Sequence, residues 1–179
     1  QRPAATAMSL LARLAHKGRH FFQRPLFVQA WALPVWLLLG LARLAIKTWS
    51  FQRIARWLLQ APQAPAPSVP LLSCAGQVRA RQIAQVIELA SRHAPFTANC
   101  FPQALVASWL LRWHGLPGVM CFGLKKGPAP NGRPPGCTVQ AHAWVQAGPV
   151  AVTGGRGFED HAVVGCYPWW GRGGASHAR

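Results

Sequence analysis

Residues 100–113, CFPQALVASWLLRW, and residues 138–153, TVQAHAWVQAGPVAVT, contain the patterns that decide the fold. The first stretch predicts a helix that begins at Cys100, because Pro102 lies in the first turn and His114-Gly115 follows the last one. The second stretch predicts a β-strand around His142, a turn at Gly148-Pro149 and a further short strand. A helix that starts at a cysteine and a later strand that carries a histidine therefore organise this half of the chain.

Outward from these two stretches, the pattern predicts helices followed by strands. A helix is expected from about Ala75 to His93, with an apolar stripe on one face. The strands are expected at Gly118–Lys125, Thr138–Gln146, Val150–Thr153 and Ala162–Tyr167, with a Pro/Gly-rich loop at 126–136. Helices followed by an antiparallel sheet indicate an α+β fold, in which helices pack on a small sheet.

A proline-rich segment divides the chain. Residues 60–70 read QAPQAPAPSVP, which favours an extended linker. We therefore predict an apolar helical region over residues 1–66 and a second domain, with the Cys100 helix and the His142 strand, over residues 67–179.

The N-terminal region contains the most apolar run of the chain, residues 26–46. This run is long enough to span a membrane, but Gln29, Pro34 and Arg43 interrupt it. A buried or partner-covered helical hairpin is the preferred interpretation, although membrane contact stays open. A basic amphipathic helix is expected next, over residues 49–59.

The charge balance is strongly basic, with 19 Lys and Arg residues against three acids and a formal net charge of +16. Such a field attracts polyanions, acidic peptides and anionic membranes without selecting among them. Glu88, Glu159 and Asp160 are the three acids, so any carboxylate chemistry must come from them.

The five cysteines form no C-x-x-C pair, which argues against a zinc ribbon or a thioredoxin motif. An odd, scattered set also argues against a complete disulfide framework, and no secretory cleavage signal is recognisable. A reducing cytoplasm is therefore expected. Cys121 and Cys166 lie in predicted strands, where small buried apolar residues are the expected interpretation.

Cys100 and His142 are the candidate nucleophile and base. A thiol at a helix N-terminus lies near unpaired N–H groups and the positive end of the helix dipole, and both stabilise the thiolate. A histidine within a strand is held rigidly, as a base must be. Each residue alone has an ordinary structural interpretation, but their order along the chain resembles the transglutaminase-like or papain-like cysteine peptidase fold.

A narrower resemblance covers residues 26–167. The stretches CFPQALVASWLLRWHGLPGVMCFGLKKG (100–127), AHAWVQAGPVAVTGG (141–155) and WLLLGLARLAIKTWSFQRIARWL (36–58) resemble the protease half of the lasso-peptide maturation B proteins. The shared elements are Cys100-Phe101, Gly115-Leu116-Pro117, Gly123-Leu124-Lys125 and Ala141–Val145.

The resemblance implies a cysteine leader peptidase that cuts the leader from a ribosomally made lasso-peptide precursor. It also implies two partners: a leader-recognition domain protein that delivers the substrate, and an ATP-dependent lasso cyclase that closes the macrolactam. No metal and no organic cofactor are implied for this chain.

The resemblance leaves the third catalytic member open. The family's acid often lies around a dozen residues beyond the histidine, where this chain reads Thr153-Gly154-Gly155. Glu159 or Asp160 is expected to supply the carboxylate, unless these acids are merely solvated. Gln103 and Trp144 are predicted to contact the substrate, with Gln103 a candidate oxyanion donor or an ordinary surface residue.

Two rival functions remain at this stage. Another transglutaminase-like acyltransferase or amidase would share the same fold. A non-catalytic basic module for membranes or nucleic acid would explain the charge but not the order of Cys100 and His142. Nucleic acid is not an expected partner, because many of the tryptophans lie in apolar helices, where core or partner contact is the simpler interpretation.

Overall fold

The structure is a computed structural model that describes residues 24–49, 53, 71–96, 99–127, 138–155 and 159–171. This part of the chain forms three helices and four strands. They are α1 (Leu26–Thr48), α2 (Cys74–Arg92), α3 (Cys100–Trp113), β1 (Gly118–Gly127), β2 (Thr138–Ala147), β3 (Val150–Thr153) and β4 (Ala162–Trp169). The predicted α+β fold is confirmed. The expected helix at 49–59, the linker at 60–70 and most of the loop at 126–136 lie outside the described residues.

Local signals place the ends of α2 and α3. The hydroxyl of Ser73 accepts a hydrogen bond of 3.2 Å from the backbone N–H of Gly76 and so caps the start of α2. Helix α3 begins at Cys100, as predicted, and Gly115 follows its last turn with a φ of 68°. Because a left-handed residue at this point is most often glycine, Gly115 ends the helix at low strain.

The four strands form one antiparallel sheet in the order β3-β2-β1-β4. Strand β3 is short, and its last residue, Thr153, pairs with Val145 of β2. The first half of β2, which carries His142, therefore extends beyond the end of β3.

Three layers build the domain, with α2 and α3 between α1 and the sheet. Val28, Val35 and Leu39 of α1 are fully buried, and their spacing places them on one helical face. On the sheet, Ala143 and Val145 belong to the same core cluster. Alternate residues of β2 therefore face the helices, and the residues between them face the opposite side.

A disulfide on that opposite side corrects the expectation of separate cysteines. Cys121 and Cys166 are both buried, as predicted, but they also form a disulfide with each other. The cause is the antiparallel register, which pairs Cys121 of β1 directly with Cys166 of β4 across 45 residues of chain. Among the described cysteines, Cys74 and Cys100 are free. The compartment of the protein stays a prediction.

Residues 26–48 form one continuous helix rather than a hairpin within the apolar run. Helix α1 continues through Pro34, which donates no hydrogen bond to the preceding turn. By length and hydropathy α1 could cross a membrane, but the core helix of a soluble protein can have the same length and hydropathy. Its buried face against α2 and α3 makes it part of the packed domain.

Candidate functional site

Cys100 is the first residue of α3 and is half-buried. The next residue, Phe101, packs its ring 5.6 Å from that of Phe122, centroid to centroid. Phe122 pairs across the sheet with Ala143, the neighbour of His142. The residue that follows Cys100 therefore packs on the strand next to the His142 position.

The imidazole of His142 is fixed by the backbone beyond β3. Its Nε2 atom lies 2.9 Å from the carbonyl oxygen of Gly154. Because a carbonyl oxygen only accepts hydrogen bonds, Nε2 carries the hydrogen in this contact. The neutral ring then keeps its lone pair on Nδ1, and this nitrogen is the atom able to accept a proton.

Two further rings surround His142. Trp144, which is 3% exposed, stacks on it with ring centroids 6.0 Å apart. His161 lies on it with a centroid distance of 5.1 Å. Beneath them, a Cβ on Gly123 would lie 2.8 Å from His161 and 2.9 Å from Trp144, so this strand position requires glycine. The rings hold the imidazole in one place.

These contacts bear on two sequence interpretations. Trp144 is buried beside His142, so it supports the imidazole, and its contact with substrate stays a prediction. No sequence pattern singles out His161, although it directly follows the candidate acids Glu159 and Asp160. Its approach to His142 depends on the pairing of β4 with β1, which no local pattern reveals.

The candidate nucleophile and base are not hydrogen-bonded to each other, and their side chains lie on different sides of the sheet. The side chain of Cys100 borders the core cluster on the helix side of the sheet. His142 projects from the side that carries Trp144. Within the described part of the chain, no hydrogen bond joins the thiol to the imidazole. Catalytic hydrogen bonds are often long before substrate binds.

A groove of about 410 Å³ lies between α2 and β3, and residues near Cys100 and His142 in the chain or in space line it. Gln103 lines it one helical turn after Cys100, on the same face of α3. Gly154, the hydrogen-bond partner of His142, lines it from the other side. Thr153 also lines the groove, and its hydroxyl is buried without a hydrogen-bond partner among the described residues. A ligand in this groove would therefore contact Gln103, one turn after Cys100, and Gly154, the hydrogen-bond partner of His142.

The two candidate acids lie apart from the His142 hydrogen bond. The carboxylate of Asp160 forms an ion pair of 2.8 Å with Lys125, and the hydrogen bond and charge of Lys125 lower the pKa of Asp160. Glu159 is exposed. In the segments that the structure describes, neither carboxylate is hydrogen-bonded to His142. The third catalytic role of these acids stays a prediction.

Comparison with known proteins gives one family. The sequence profile of the transglutaminase-like superfamily matches residues 36–164, which is most of the chain and includes Cys100 and His142. No curated protein and no solved structure matches significantly. The superfamily typically comprises cysteine-dependent enzymes, in agreement with a helix that begins at a free cysteine. The chain belongs to the transglutaminase-like superfamily.

Proposed function

We propose that this protein is a cysteine leader peptidase that cleaves the leader from a ribosomally synthesised lasso-peptide precursor. The main support is the position of Cys100, a free thiol that opens α3, next to Phe101, whose ring packs on the strand beside the His142 position. The family membership supports a cysteine-peptidase-like or acyltransferase-like activity. The leader substrate rests on the sequence resemblance described above.

In the proposed mechanism, Nδ1 of His142 takes the proton from the thiol of Cys100, which requires the two side chains to approach each other when the substrate binds. The thiolate attacks the carbonyl carbon of the leader–core bond, and the sulfur–carbon bond forms. When the carbon–nitrogen bond breaks, the imidazolium returns the proton to the departing amine. Water then hydrolyses the thioester, which releases the leader as a carboxylate and restores the thiol.

The negative oxygen of the tetrahedral intermediate needs hydrogen-bond donors. At the start of α3, the backbone N–H groups of Cys100 and Phe101 precede Pro102, which has none. The next N–H group, that of Gln103, contacts the carbonyl oxygen of Asn99 at 3.5 Å. The first two N–H groups are therefore the proposed oxyanion donors.

Gly154 takes the orienting role in this proposal. Its carbonyl accepts the hydrogen of Nε2 and leaves Nδ1 as the proton acceptor. An orienting group that is neutral stabilises the imidazolium less than a carboxylate does. Loss of a carboxylate from such a site lowers the rate without removing the nucleophile.

The proposed partners follow from the same function. They are the precursor peptide, a leader-recognition domain protein that presents it, and an ATP-dependent lasso cyclase that acts on the released amine. Because hydrolysis of a thioester needs only water, no cofactor is proposed for this chain.

The test first searches the genes beside this one for a short precursor peptide and a recognition protein, and then supplies both to this protein, with both ends of the peptide blocked. Cys100→Ala is expected to lower cleavage more than about a thousandfold. Cys74→Ala, which removes the exposed cysteine at the start of α2, serves as the matched control and should keep full activity.

Three results would contradict the proposal. They are cleavage that survives Cys100→Ala, the absence of any cleavage by the wild-type protein, and transfer of the acyl group to an added amine in preference to water. The last result would identify an acyltransferase of the same superfamily.

A further inference from the structure

A second groove, of about 260 Å³, lies beside Cys100 on the side of α1. The last turns of α1 and the start of α3 form its walls. Its lining residues are Arg43, Ile46, Lys47, Asn99, Phe101 and Pro102. Asn99 and Phe101 are the two chain neighbours of Cys100, so a group bound in this groove lies beside the first turn of α3.

The groove is positively charged, and none of its described lining residues is an acid. Arg43 and Lys47 occur four residues apart, which places both on the same face of α1. The guanidinium of Arg43 lies over the ring of Phe96 at 5.9 Å, and this contact positions it. Lys47 is exposed.

The acids of the chain lie elsewhere in the described structure. Glu88 pairs with Arg92 on α2, and Asp160 pairs with Lys125 at the sheet. The third acid, Glu159, directly precedes Asp160. The described lining of the groove therefore contains two cations and no acidic side chain.

We propose that this groove binds the carboxylate of an Asp or Glu side chain in the substrate peptide, within about two residues of the cleaved bond. This inference rests on the proposed peptidase function. An extended peptide advances about 3.3 Å per residue, so a chain that crosses Cys100 reaches the groove within one or two residues. Arginine and lysine bind carboxylates through charge-assisted hydrogen bonds.

The apolar part of the groove suits the same ligand. Ile46, Phe101 and Pro102 supply apolar walls, and these contact the methylene groups of an acidic side chain while the cations contact its oxygens. The groove thus selects an acidic residue near the cleaved bond, and α1 contributes to substrate specificity.

The first experiment compares peptides with both ends blocked that carry Glu or Gln at each of the two positions on either side of the cleaved bond. The Glu peptide is expected to have a kcat/KM about five- to tenfold higher at one of these positions. Lys47→Glu should abolish or reverse this preference. Lys126→Glu is the control. It makes the same charge change on β1, at a residue that does not line the groove, and the preference for Glu should remain.

The second experiment needs no substrate and separates the groove from the proposed function. Iodoacetate and iodoacetamide alkylate a thiol by the same displacement of iodide, but only iodoacetate carries a carboxylate. The ratio of the iodoacetate rate to the iodoacetamide rate should be several-fold higher at Cys100 than at Cys74, and Lys47→Glu should lower it at Cys100 alone.

Equal ratios at the two cysteines, or cleavage without any Glu preference, would overturn the anion-binding groove and leave the peptidase intact. If no peptide is cleaved but the ratio at Cys100 is high and falls in Lys47→Glu, the proposed function fails and the anion-binding groove stands.

Discussion

The Nε2 atom of His142 lies 2.9 Å from the carbonyl oxygen of Gly154, twelve residues further along the chain. The sequence resemblance implies a carboxylate at around this distance from the histidine. In this chain a backbone carbonyl makes the contact, so the imidazole is oriented by a neutral group. The position of the carbonyl depends on Gly154, whose φ is 100°.

Gly154→Ala is therefore expected to lower both activity and stability. An alanine Cβ would contact the Cβ of Trp144 and lie 3.4 Å from Nε2 of His142. The alanine would also have to adopt a backbone conformation with a positive φ, which L residues rarely adopt. The expected loss is about 1–3 kcal/mol in the free energy of unfolding and about a hundredfold in kcat, because the imidazole is displaced. Chemical denaturation and steady-state kinetics measure the two effects.

The control for Gly154→Ala is Gly148→Ala. Gly148 also has a positive φ, 55°, but lies in the β2–β3 turn against Leu72. It should lower the free energy of unfolding without changing kcat. If both variants lose kcat equally, the His142–Gly154 hydrogen bond has no specific role in catalysis.

Both ends of α3 could be predicted from the sequence, because Pro102 lies in its first turn and Gly115 follows its last turn. The orientation of His142 could not be predicted. The pairing of β3 with β2 fixes the position of the carbonyl that binds it, and a backbone carbonyl leaves no signature in the sequence. The Cys121–Cys166 disulfide was missed for a similar reason. Its two cysteines meet through strand pairing between distant segments, and spacing alone does not give that register.

Cys100 and His142 are expected to act as one catalytic unit. Phe101, next to Cys100, packs on the strand beside the His142 position, and Gln103 of α3 and Gly154, the partner of His142, line the same groove. His142→Ala should therefore be about as damaging to kcat as Cys100→Ala, and the double variant should be little worse than either. Losses that multiply in the double variant would show that the two residues contribute separately.

The Cys121–Cys166 disulfide is expected to stabilise the sheet. It joins β1 to β4 across 45 residues of chain, and such links contribute about 2–4 kcal/mol. Reductant should therefore lower the Tm of the oxidised wild-type protein. The Cys121→Ala/Cys166→Ala double variant should have a low Tm that reductant does not change. An equal response of both proteins to reductant would show that the effect comes from another cysteine.

Helix α1 is expected to be held by its own domain, and two leucines of this helix test this. Leu39 is 0% exposed against the core, whereas Leu41 is 60% exposed. Leu39→Ala should lower the free energy of unfolding by about 2–5 kcal/mol because it leaves a cavity. Leu41→Ala should change it by less than about 0.5 kcal/mol. If α1 were a membrane anchor, Leu39→Ala would leave domain stability unchanged and Leu41→Ala would weaken recovery in the membrane fraction.

His114, which follows the last turn of α3, should make stability depend on pH. Its ring contacts the rings of Phe27 and Trp31, and its Nε2 atom is buried without a partner among the described residues. Burial and the nearby charge of Arg79 lower the pKa of His114 below its usual value of 6.5. The unfolded chain therefore binds a proton at a higher pH than the folded protein does.

The sign of the effect follows from this lowered pKa. The contribution of neutral His114 is fully present above pH 6.5 and is lost as the pH falls through the folded-state pKa of this residue. His114→Gln removes the titration, so denaturant midpoints measured between pH 8 and pH 5 should fall less in this variant than in the wild-type protein. Acidic groups such as Asp160 titrate in both proteins and cancel in the comparison. Parallel curves for the two proteins would show that His114 does not couple protonation to folding.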